Sequence, residues 1–240
     1  GSCKESATCY NSDMIHHRMN KKGFTLAEIL ITLGIIGIVA AMTLPSLISN
    51  YRKRVAETRI KRAYSLLNQA MLYAVKDNGA SKNWTSMNSK GFIEQYLIPY
   101  LPGSVFISES RLGDMYVLNK DNSGKVTLNG GYSSGLKLKT GELIRVVDGF
   151  NPDQTSSFVG AQFGVILSEN KSGIYYFGKD YFTFWYDINK DLLELTHGYG
   201  CSTKNELLIE RCGLYGHDGA CTSLIVCNGW KIPDYYPIRF

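Results

Sequence analysis

A long run of apolar residues near the N-terminus is the strongest feature of the hydrophobic pattern along this chain. Residues 29–48 are 20 consecutive uncharged residues, most of them apolar. A helix of about 20 residues is about 30 Å long, which is the thickness of the hydrocarbon core of a bilayer. The pattern therefore predicts a membrane-spanning helix over residues 24–50, in which Pro45 removes one backbone hydrogen bond.

The apolar pattern changes from continuous to periodic after residue 50. Over residues 51–78, apolar residues recur at steps of three and four, at Val55, Ala63, Leu66, Leu67, Ala70, Met71 and Ala74. Basic residues take other positions, at Arg52, Arg59, Arg62 and Lys76. This spacing is typical of an amphipathic helix with one buried face. Together the two segments predict one helix of about fifty residues, which ends at the Asn78-Gly79 stop signal.

Short runs rich in β-branched and aromatic residues follow this helix. The runs are VFIS, MYVLN, KVTL, LKLK, ELIRVV, FGVIL, GIYYF and YFTFWYDI. Turn signals separate them, at residues 122–124, 140–141, 151–153 and 170–173. We therefore predict an antiparallel sheet with hairpins. From Gly198 onward the sequence reads as loop-rich, and we expect few regular elements there.

Composition and charge narrow the range of partners. Hydrophobic residues make up 44% of the chain and charged residues 20%, which is ordinary for a folded protein and excludes a wholly disordered one. The net charge of +5 gives little reason to expect a nucleic acid as a specific partner. A stripe of basic residues between Arg52 and Arg62 is the one local exception.

Six cysteines lie in two groups. Cys3 and Cys9 are close to the beginning of the sequence, and the last forty residues contain Cys201, Cys212, Cys221 and Cys227. Four clustered cysteines without a C-x-x-C pair are typical of disulfides in an oxidising compartment. We expect two disulfides, with three connectivities open. The alternatives are buried free thiols and a zinc site with His217, although the spacing matches no common zinc pattern.

Glu28 is the exception at the start of the apolar stretch. On insertion scales an acid at the centre of a bilayer costs about 2.5–3.5 kcal/mol, and less near a helix end, where the side chain reaches the headgroups. Two interpretations are open for Glu28. Its carboxylate lies among the headgroups, or it pairs with a positively charged partner.

The residues around Glu28 carry a resemblance to a known family. The sequence Lys21-Lys22-Gly23-Phe24-Thr25-Leu26-Ala27-Glu28, followed by an uninterrupted apolar helix, resembles the N-terminus of type IV prepilins. Pseudopilins of type II secretion and competence systems share this pattern. The resemblance implies an α+β pilin fold. In that fold a long N-terminal helix, first transmembrane and then amphipathic, packs on an antiparallel β-sheet, and a disulfide-pinned C-terminal loop region closes the chain.

The resemblance also implies how the chain is organised. A leader peptide covers residues 1–23, a transmembrane assembly helix residues 24–50 and a globular pilin domain residues 51–240. Within that domain we expect the amphipathic helix at 51–78, a β-rich part at 79–200 and a cysteine-rich tail at 201–240.

Four residues receive roles from the resemblance. A membrane aspartyl protease, the prepilin peptidase, is expected to cut between Gly23 and Phe24 and then to methylate the new amine of Phe24. Glu28 matches the acid of the family's mature N-terminus, where it pairs with a neighbouring subunit's N-terminal ammonium and sets the register of assembly. Pro45 matches a proline at which the helix of many pilins loosens on assembly.

The implied function is that of a structural subunit of a type IV pilus or a type II secretion-like pseudopilus, without enzymatic activity or cofactor. The implied partners are further copies in a filament, other pilins, the prepilin peptidase, an inner-membrane assembly platform and the lipid bilayer. The precursor is expected in the inner membrane as a single-pass protein, and the mature chain in a periplasmic or cell-surface filament.

The basic stripe conflicts with this topology. More Lys and Arg residues follow the apolar segment than precede it, and the positive-inside rule would place the C-terminal side in the cytoplasm. We expect the opposite orientation, because the rule weakens for long translocated domains. A cytoplasmic domain would also leave the cysteine cluster unexplained.

Three local motifs suggest other chemistry only weakly. Residues 131–135 fit the G-x-S-x-G pattern of hydrolases, but the sequence that follows alternates like a strand instead of a helix. Residues 187–191 resemble the start of a calcium loop, but the glycine and glutamate that such a loop requires are missing. His197 has no nucleophile with which the sequence would pair it.

Two other classes of protein remain as alternatives. One is a soluble secreted binding protein with a signal peptide that ends near Ala41, against which Glu28 and the amphipathic continuation count. The other is a single-pass membrane-anchored enzyme, for which the sequence offers no catalytic constellation.

Overall fold

The computed structural model describes residues 23–119, 121, 124–128, 133–153, 159–196, 199–215 and 218–240. Residues 1–22 with Cys3 and Cys9, and the two histidines His197 and His217, lie outside the described residues. The chain divides into two compact units, Gly1–Pro45 and Ser46–Phe240.

One helix, α1, extends from Leu26 to Asn78, as the hydrophobic pattern predicts. It ends where Gly79 takes a φ of 80°, which is favourable for glycine. In its second half the fully buried positions recur at three- and four-residue steps, at Ala56, Ile60, Ala63, Leu67, Ala70, Met71 and Ala74. Val55 and Leu66, which the periodicity also assigns to the apolar face, are only partly buried.

Short helical segments come between α1 and the first strand, which begins at Val105. They are the 3₁₀ turn Ser81–Asn83, α2 at Ser89–Phe92, the π turn Ile93–Leu97 and the 3₁₀ turn Ile98–Tyr100; α3 follows at Glu109–Leu112. Asn88 caps α2, because its side chain accepts a hydrogen bond of 2.8 Å from the Gly91 amide. The indole of Trp84 stacks on Tyr96, with 3.8 Å between ring centroids, and secures these turns.

Nine strands are found among the described residues. They are β1 Val105–Ile107, β2 Tyr116–Leu118, β3 Lys125–Thr127, β4 Ser134–Lys137, β5 Leu143–Asn151, β6 Gly160–Ile166, β7 Ile174–Tyr176, β8 Tyr181–Asp187 and β9 Leu192–Leu195. Six of them form an antiparallel sheet in the order β1-β4-β5-β6-β8-β9. The prediction of an antiparallel sheet is therefore confirmed. A smaller sheet, β3-β2-β7, includes a parallel pair, β2 and β7, which the hairpin pattern does not predict.

The large sheet is buried on both faces. One row of registered residues belongs to the main core cluster, which also contains the buried residues of α1; this row is Ile144, Val165 and Phe182. The next row belongs to a second cluster with β2 and β7; it is Leu143, Ile166 and Tyr181. Because side chains alternate along a strand, neighbouring residues serve different cores.

The cysteine-rich tail contains two helices that the expectation of few regular elements did not include, whereas residues 228–240 are irregular. It contains α4 at Asn205–Tyr215 and α5 at Asp218–Cys227. These helices bury Leu208, Cys212, Ala220, Cys221, Leu224 and Ile225 in the main core. The sequence did not predict these helices, because their apolar faces are formed partly by cysteines and small residues. Such residues are typical of turns and disulfide-linked loops.

Two disulfides confirm that the tail is pinned. Cys201 pairs with Cys227, and Cys212 pairs with Cys221. The first bond joins exposed residues on either side of the helical pair, and the second joins α4 to α5 inside the core. This connectivity was one of three that the sequence left open.

Candidate functional site

The first turn of α1 is closed by reciprocal hydrogen bonds between Thr25 and Glu28. The Thr25 amide donates to Glu28 Oε2 at 2.8 Å, and the Thr25 hydroxyl donates to the same oxygen at 3.0 Å. The Glu28 amide in turn donates to Thr25 Oγ1 at 3.2 Å. This arrangement is a capping box. One oxygen of the Glu28 carboxylate, Oε2, is therefore hydrogen-bonded within its own chain. The donor is a residue that the sequence analysis did not single out, although the T-x-x-E spacing carries that signal.

The segment that follows Glu28 exposes an apolar surface on all sides. Its exposed large side chains include Ile29, Leu30, Ile31, Leu33, Ile35, Ile36, Ile38, Val39, Met42, Leu44, Leu47 and Ile48. Among the described residues, α1 is the one helix that is long and apolar enough to cross a membrane, by length and composition. None of its most apolar window is buried within the chain. Apolar surface of this extent marks a segment whose environment is lipid or other protein.

Polar groups inside the apolar segment are satisfied locally. The hydroxyl of Thr32 donates to the Ile29 carbonyl at 2.9 Å, and that of Thr43 donates to the Val39 carbonyl at 3.0 Å. Pro45 lies inside α1 without ending it. Because proline has no amide hydrogen, it cannot donate to the carbonyl one turn earlier, and this is the weakest point of the segment's hydrogen-bond ladder.

The second half of α1 is attached to the domain by polar contacts with distant parts of the chain. Arg59 Nη1 donates to the Leu167 carbonyl at 2.8 Å, and the Tyr64 hydroxyl donates to the Leu193 carbonyl at 3.0 Å. Arg62 forms an ion pair with Glu142, whose side chain is fully buried and also accepts from Thr140. These contacts fix the rotation of the helix on the sheet, because each one requires a particular helical face.

The G-x-S-x-G pattern does not form a nucleophile site. Gly131 and Tyr132 lie outside the described residues. Ser133 is buried and its hydroxyl accepts a hydrogen bond of 2.9 Å from Arg145. It is followed directly by β4, whereas a nucleophile elbow is followed by a helix.

The segment that resembles a calcium loop uses its carboxylates in contacts within the protein. Asp191 accepts from the Ser81 amide at 3.0 Å, and Lys190 bridges Asp187 at 3.3 Å and Glu194 at 2.5 Å. Burial raises the pKa of Asp187, but hydrogen bonds from the Asn189 amide and from Lys190 outweigh it and hold this pKa below its usual range. In the part of the chain that the structure describes, no three His, Cys, Asp or Glu side chains form a group that could hold a metal.

Comparison with known proteins gives matches to two families. Residues 18–44 match the family described as Prokaryotic N-terminal methylation motif, and residues 46–120 match a Family of unknown function (DUF6613). The Type IV wide pilus major component PilA4 of Thermus thermophilus is 40% identical over 76 residues, which cover 30% of this chain and 55% of that protein. The chain thus spans about half the length of this curated relative. No solved structure matches it.

The matched methylation motif contains Gly23, Phe24 and Glu28. Together with the pilin relative, it confirms the resemblance to the type IV pilin family on which the sequence analysis relied. The long apolar helix, the antiparallel sheet and the two disulfides agree with the expected α+β pilin fold.

Proposed function

We propose that this chain is a precursor that is cleaved, methylated and built into a filament through α1. Its N-terminal motif and its relative belong with the type IV pilins. The observation that supports this proposal most directly is the exposed apolar half of α1, which begins at a carboxylate. A filament core made of such helices would cover this surface. The prepilin peptidase, an inner-membrane assembly platform, other pilins and the bilayer are the partners that this role requires.

The precursor is held in the inner membrane by residues 24–50, with the domain on the outer side, before it enters a periplasmic or cell-surface filament. The two disulfides agree with this side of the membrane, because such bonds persist in oxidising compartments. The loss of one backbone hydrogen bond at Pro45 gives the helix a place to loosen during assembly.

Processing is tested at Gly23. We expect Gly23→Arg to block cleavage, because the bulky charge does not fit beside the scissile bond, whereas Gly23→Ala keeps a small side chain and should be cleaved. Mass spectrometry of the N-terminus measures the outcome, with N-methyl-Phe24 expected from the wild type and from Gly23→Ala. A mature chain of normal size from Gly23→Arg would contradict the cleavage site, and a chain that starts at Met42 would indicate signal-peptide cleavage after Ala41 instead.

Glu28 has two roles that the geometry allows to be separated. Both hydrogen bonds from Thr25 end on Oε2, and among the described residues no donor is found for Oε1. After cleavage, a neighbouring subunit's ammonium on Phe24 would add a charged donor for the same carboxylate. Burying that ion pair in an apolar helix bundle would satisfy both charges, and removing one partner would leave the other charge unpaired.

Glutamine at position 28 can still complete a capping box but carries no charge. We therefore expect Glu28→Gln, like Glu28→Ala, to insert and be cleaved yet to give few filaments. Thr25→Ala removes the cap, at a cost of about 1 kcal/mol, but leaves the carboxylate, and should still assemble. The measurement is the amount of protein in a sheared filament fraction, with membrane levels as control. If Glu28→Gln gave as many filaments as the wild type, the carboxylate of Glu28 would have no role in assembly.

A further inference from the structure

Three basic residues directly after the apolar segment form a group that the filament role does not use. We call Arg52, Lys53 and Arg54 the basic collar. The side chains of Arg52 and Arg54 are exposed and that of Lys53 is partly buried. Tyr51, which precedes them, is 68% exposed.

Within the part of the chain that the structure describes, no acidic side chain lies within ion-pair distance of the three collar residues. Arg62 pairs with Glu142, and Arg59 donates to a backbone carbonyl of the domain. Glu57 is the nearest acid along the helix, and it accepts a hydrogen bond of 2.8 Å from the Ile232 amide. The structure therefore uses Arg59 and Arg62 to attach α1 and leaves the collar available.

The position of the collar along α1 corresponds to the headgroup layer of a membrane. At 1.5 Å per residue, Arg52 to Arg54 lie about 6–9 Å beyond Ile48, the last residue of the uncharged apolar run. The polar layer on each side of the hydrocarbon core is about 5–8 Å thick. Exposed tyrosine at the same level is typical of a membrane–water interface.

We propose that the basic collar binds the phosphate groups of anionic phospholipids in the leaflet from which the domain emerges. This inference rests on the proposed membrane-spanning role of residues 24–50. It gives a reason for cations on the side of the membrane that the positive-inside rule normally leaves poor in them. Guanidinium and ammonium groups at this depth attract anionic headgroups within about one Debye length.

The test uses the full, uncleaved chain in phosphatidylcholine vesicles. Trace spin-labelled phosphatidylglycerol or phosphatidylcholine is added, and electron paramagnetic resonance measures the fraction of each label that the protein immobilises. We expect the wild type to prefer phosphatidylglycerol by about fivefold, which corresponds to ~1 kcal/mol at 1.4 kcal/mol per tenfold. This preference should fall toward one in the triple variant R52Q/K53Q/R54Q and, for the wild type, in high salt.

Lys61→Gln is the matched control. Lys61 is exposed and lies seven residues beyond Arg54, on the same side of α1 but about 10 Å farther from the apolar segment. This variant should keep the wild-type preference. Thermal melting and the presence of both disulfides check that each variant is folded, and the salt dependence tests the wild type without any substitution.

Equal association of the two lipids with the wild type, or an unchanged preference in the triple variant, would overturn the proposal. A triple variant that keeps its lipid preference but loses filaments would also overturn it, and would assign the collar to an acidic surface of another subunit. The lipid measurement needs no filament. A chain that shows the preference but never assembles therefore counts against the proposed function and leaves the lipid site in place.

Discussion

Two buried charged side chains of the folded domain, Glu142 and Arg145, have partners from other parts of the sequence. Glu142 is fully buried and pairs with Arg62, which is eighty residues away. Arg145 is also buried, and it donates to Ser133 at 2.9 Å and to the Tyr181 hydroxyl at 3.2 Å. Removing one member of such a contact leaves the other desolvated and unpaired, so these residues specify the arrangement of α1 and the sheet.

Asp180 and its environment predict a pH-dependent loss of stability. Burial raises the pKa of Asp180. It outweighs the hydrogen bond from the Tyr176 amide and the charge of Lys179, both of which lower this pKa. As the pH rises through about 3.9, the ordinary pKa of aspartate, Asp180 ionises first in the unfolded chain. The free energy of unfolding therefore falls. Asparagine keeps an acceptor for the Tyr176 amide and has no charge. Asp180→Asn should therefore be more stable than the wild type at pH 7 and equally stable near pH 3, as measured by urea unfolding.

Glu169 provides a control of opposite sign. Its hydrogen bond from Lys137 lowers its pKa, burial opposes this, and Arg111 lowers it further. The stabilisation is present above the ordinary pKa of glutamate, about 4.3, and is lost as the pH falls through the lowered value. Glu169→Gln should therefore be less stable than the wild type at pH 7, and the difference should disappear at low pH. The same sign for both variants would contradict this assignment of causes.

Among the secondary-structure elements, β5 depends most on a particular backbone conformation. Its register with β6 shifts between Val147 and Asn151, and Asp148 and Gly149 have φ values of 55° and 87°. This irregularity lets Phe150 form a bridge with Met87, which joins the helical turns after α1 to the sheet. A β-carbon on Gly149 would lie 2.2 Å from the Met87 carbonyl oxygen.

We predict that Gly149→Ala lowers the free energy of unfolding by more than about 2 kcal/mol, because strain at positive φ adds to a backbone clash. Gly141→Ala is the control, since Gly141 also has positive φ, 98°, but a β-carbon there meets nothing within 4 Å. Its cost should be about 1 kcal/mol. Denaturant midpoints measure the stability of both variants. Equal losses of stability would show that the backbone at Met87 moves to make room for the added β-carbon.

At the scale of the whole molecule, the C-terminal tail supports the helix at the other end of the sequence. The Ile232 amide donates to Glu57 of α1, and Trp230 lies 4.8 Å from Tyr64 between ring centroids. The Cys201–Cys227 disulfide encloses the helical pair just before this contact. Stability of the tail is therefore linked to the attachment of α1.

We predict that Cys201→Ala with Cys227→Ala lowers the free energy of unfolding by about 3.5 kcal/mol, the loop-entropy value for a separation of 26 residues. Because both cysteines are exposed, this double variant changes core packing little, and its loss of stability measures mainly the entropy of loop closure. Cys212→Ala with Cys221→Ala has a smaller entropy term, about 2.6 kcal/mol for a separation of 9, but adds the loss of buried sulfur atoms. Urea unfolding of each double variant measures the difference.

Thiol counting on the denatured, unreduced mature protein checks the bonds themselves. None of the four tail cysteines should react, and disulfide mapping should recover the pairs Cys201–Cys227 and Cys212–Cys221. Four reactive thiols would show that the bonds do not form in the cell.

The sequence by itself determined α1, the eight strands whose β-branched and aromatic runs stand out, and the candidate residues at the N-terminus. The helix and the strands follow from periodicity and local spacing, which depend only on neighbours along the chain, whereas the candidate residues come from the resemblance to type IV prepilins. The roles of Gly23, Phe24, Glu28 and Pro45 stay predictions.

Only the tertiary structure decided the disulfide connectivity, the helices of the tail, the parallel pairing of β2 with β7 and the leucine-rich strand β9. It also decided that Arg59 and Arg62 of the basic stripe contact the domain, whereas the described residues place no acidic side chain beside the collar. Each of these depends on segments that are far apart in sequence and meet only when the core forms. No local pattern records such a distance, and tertiary packing overrides local propensity where the two differ.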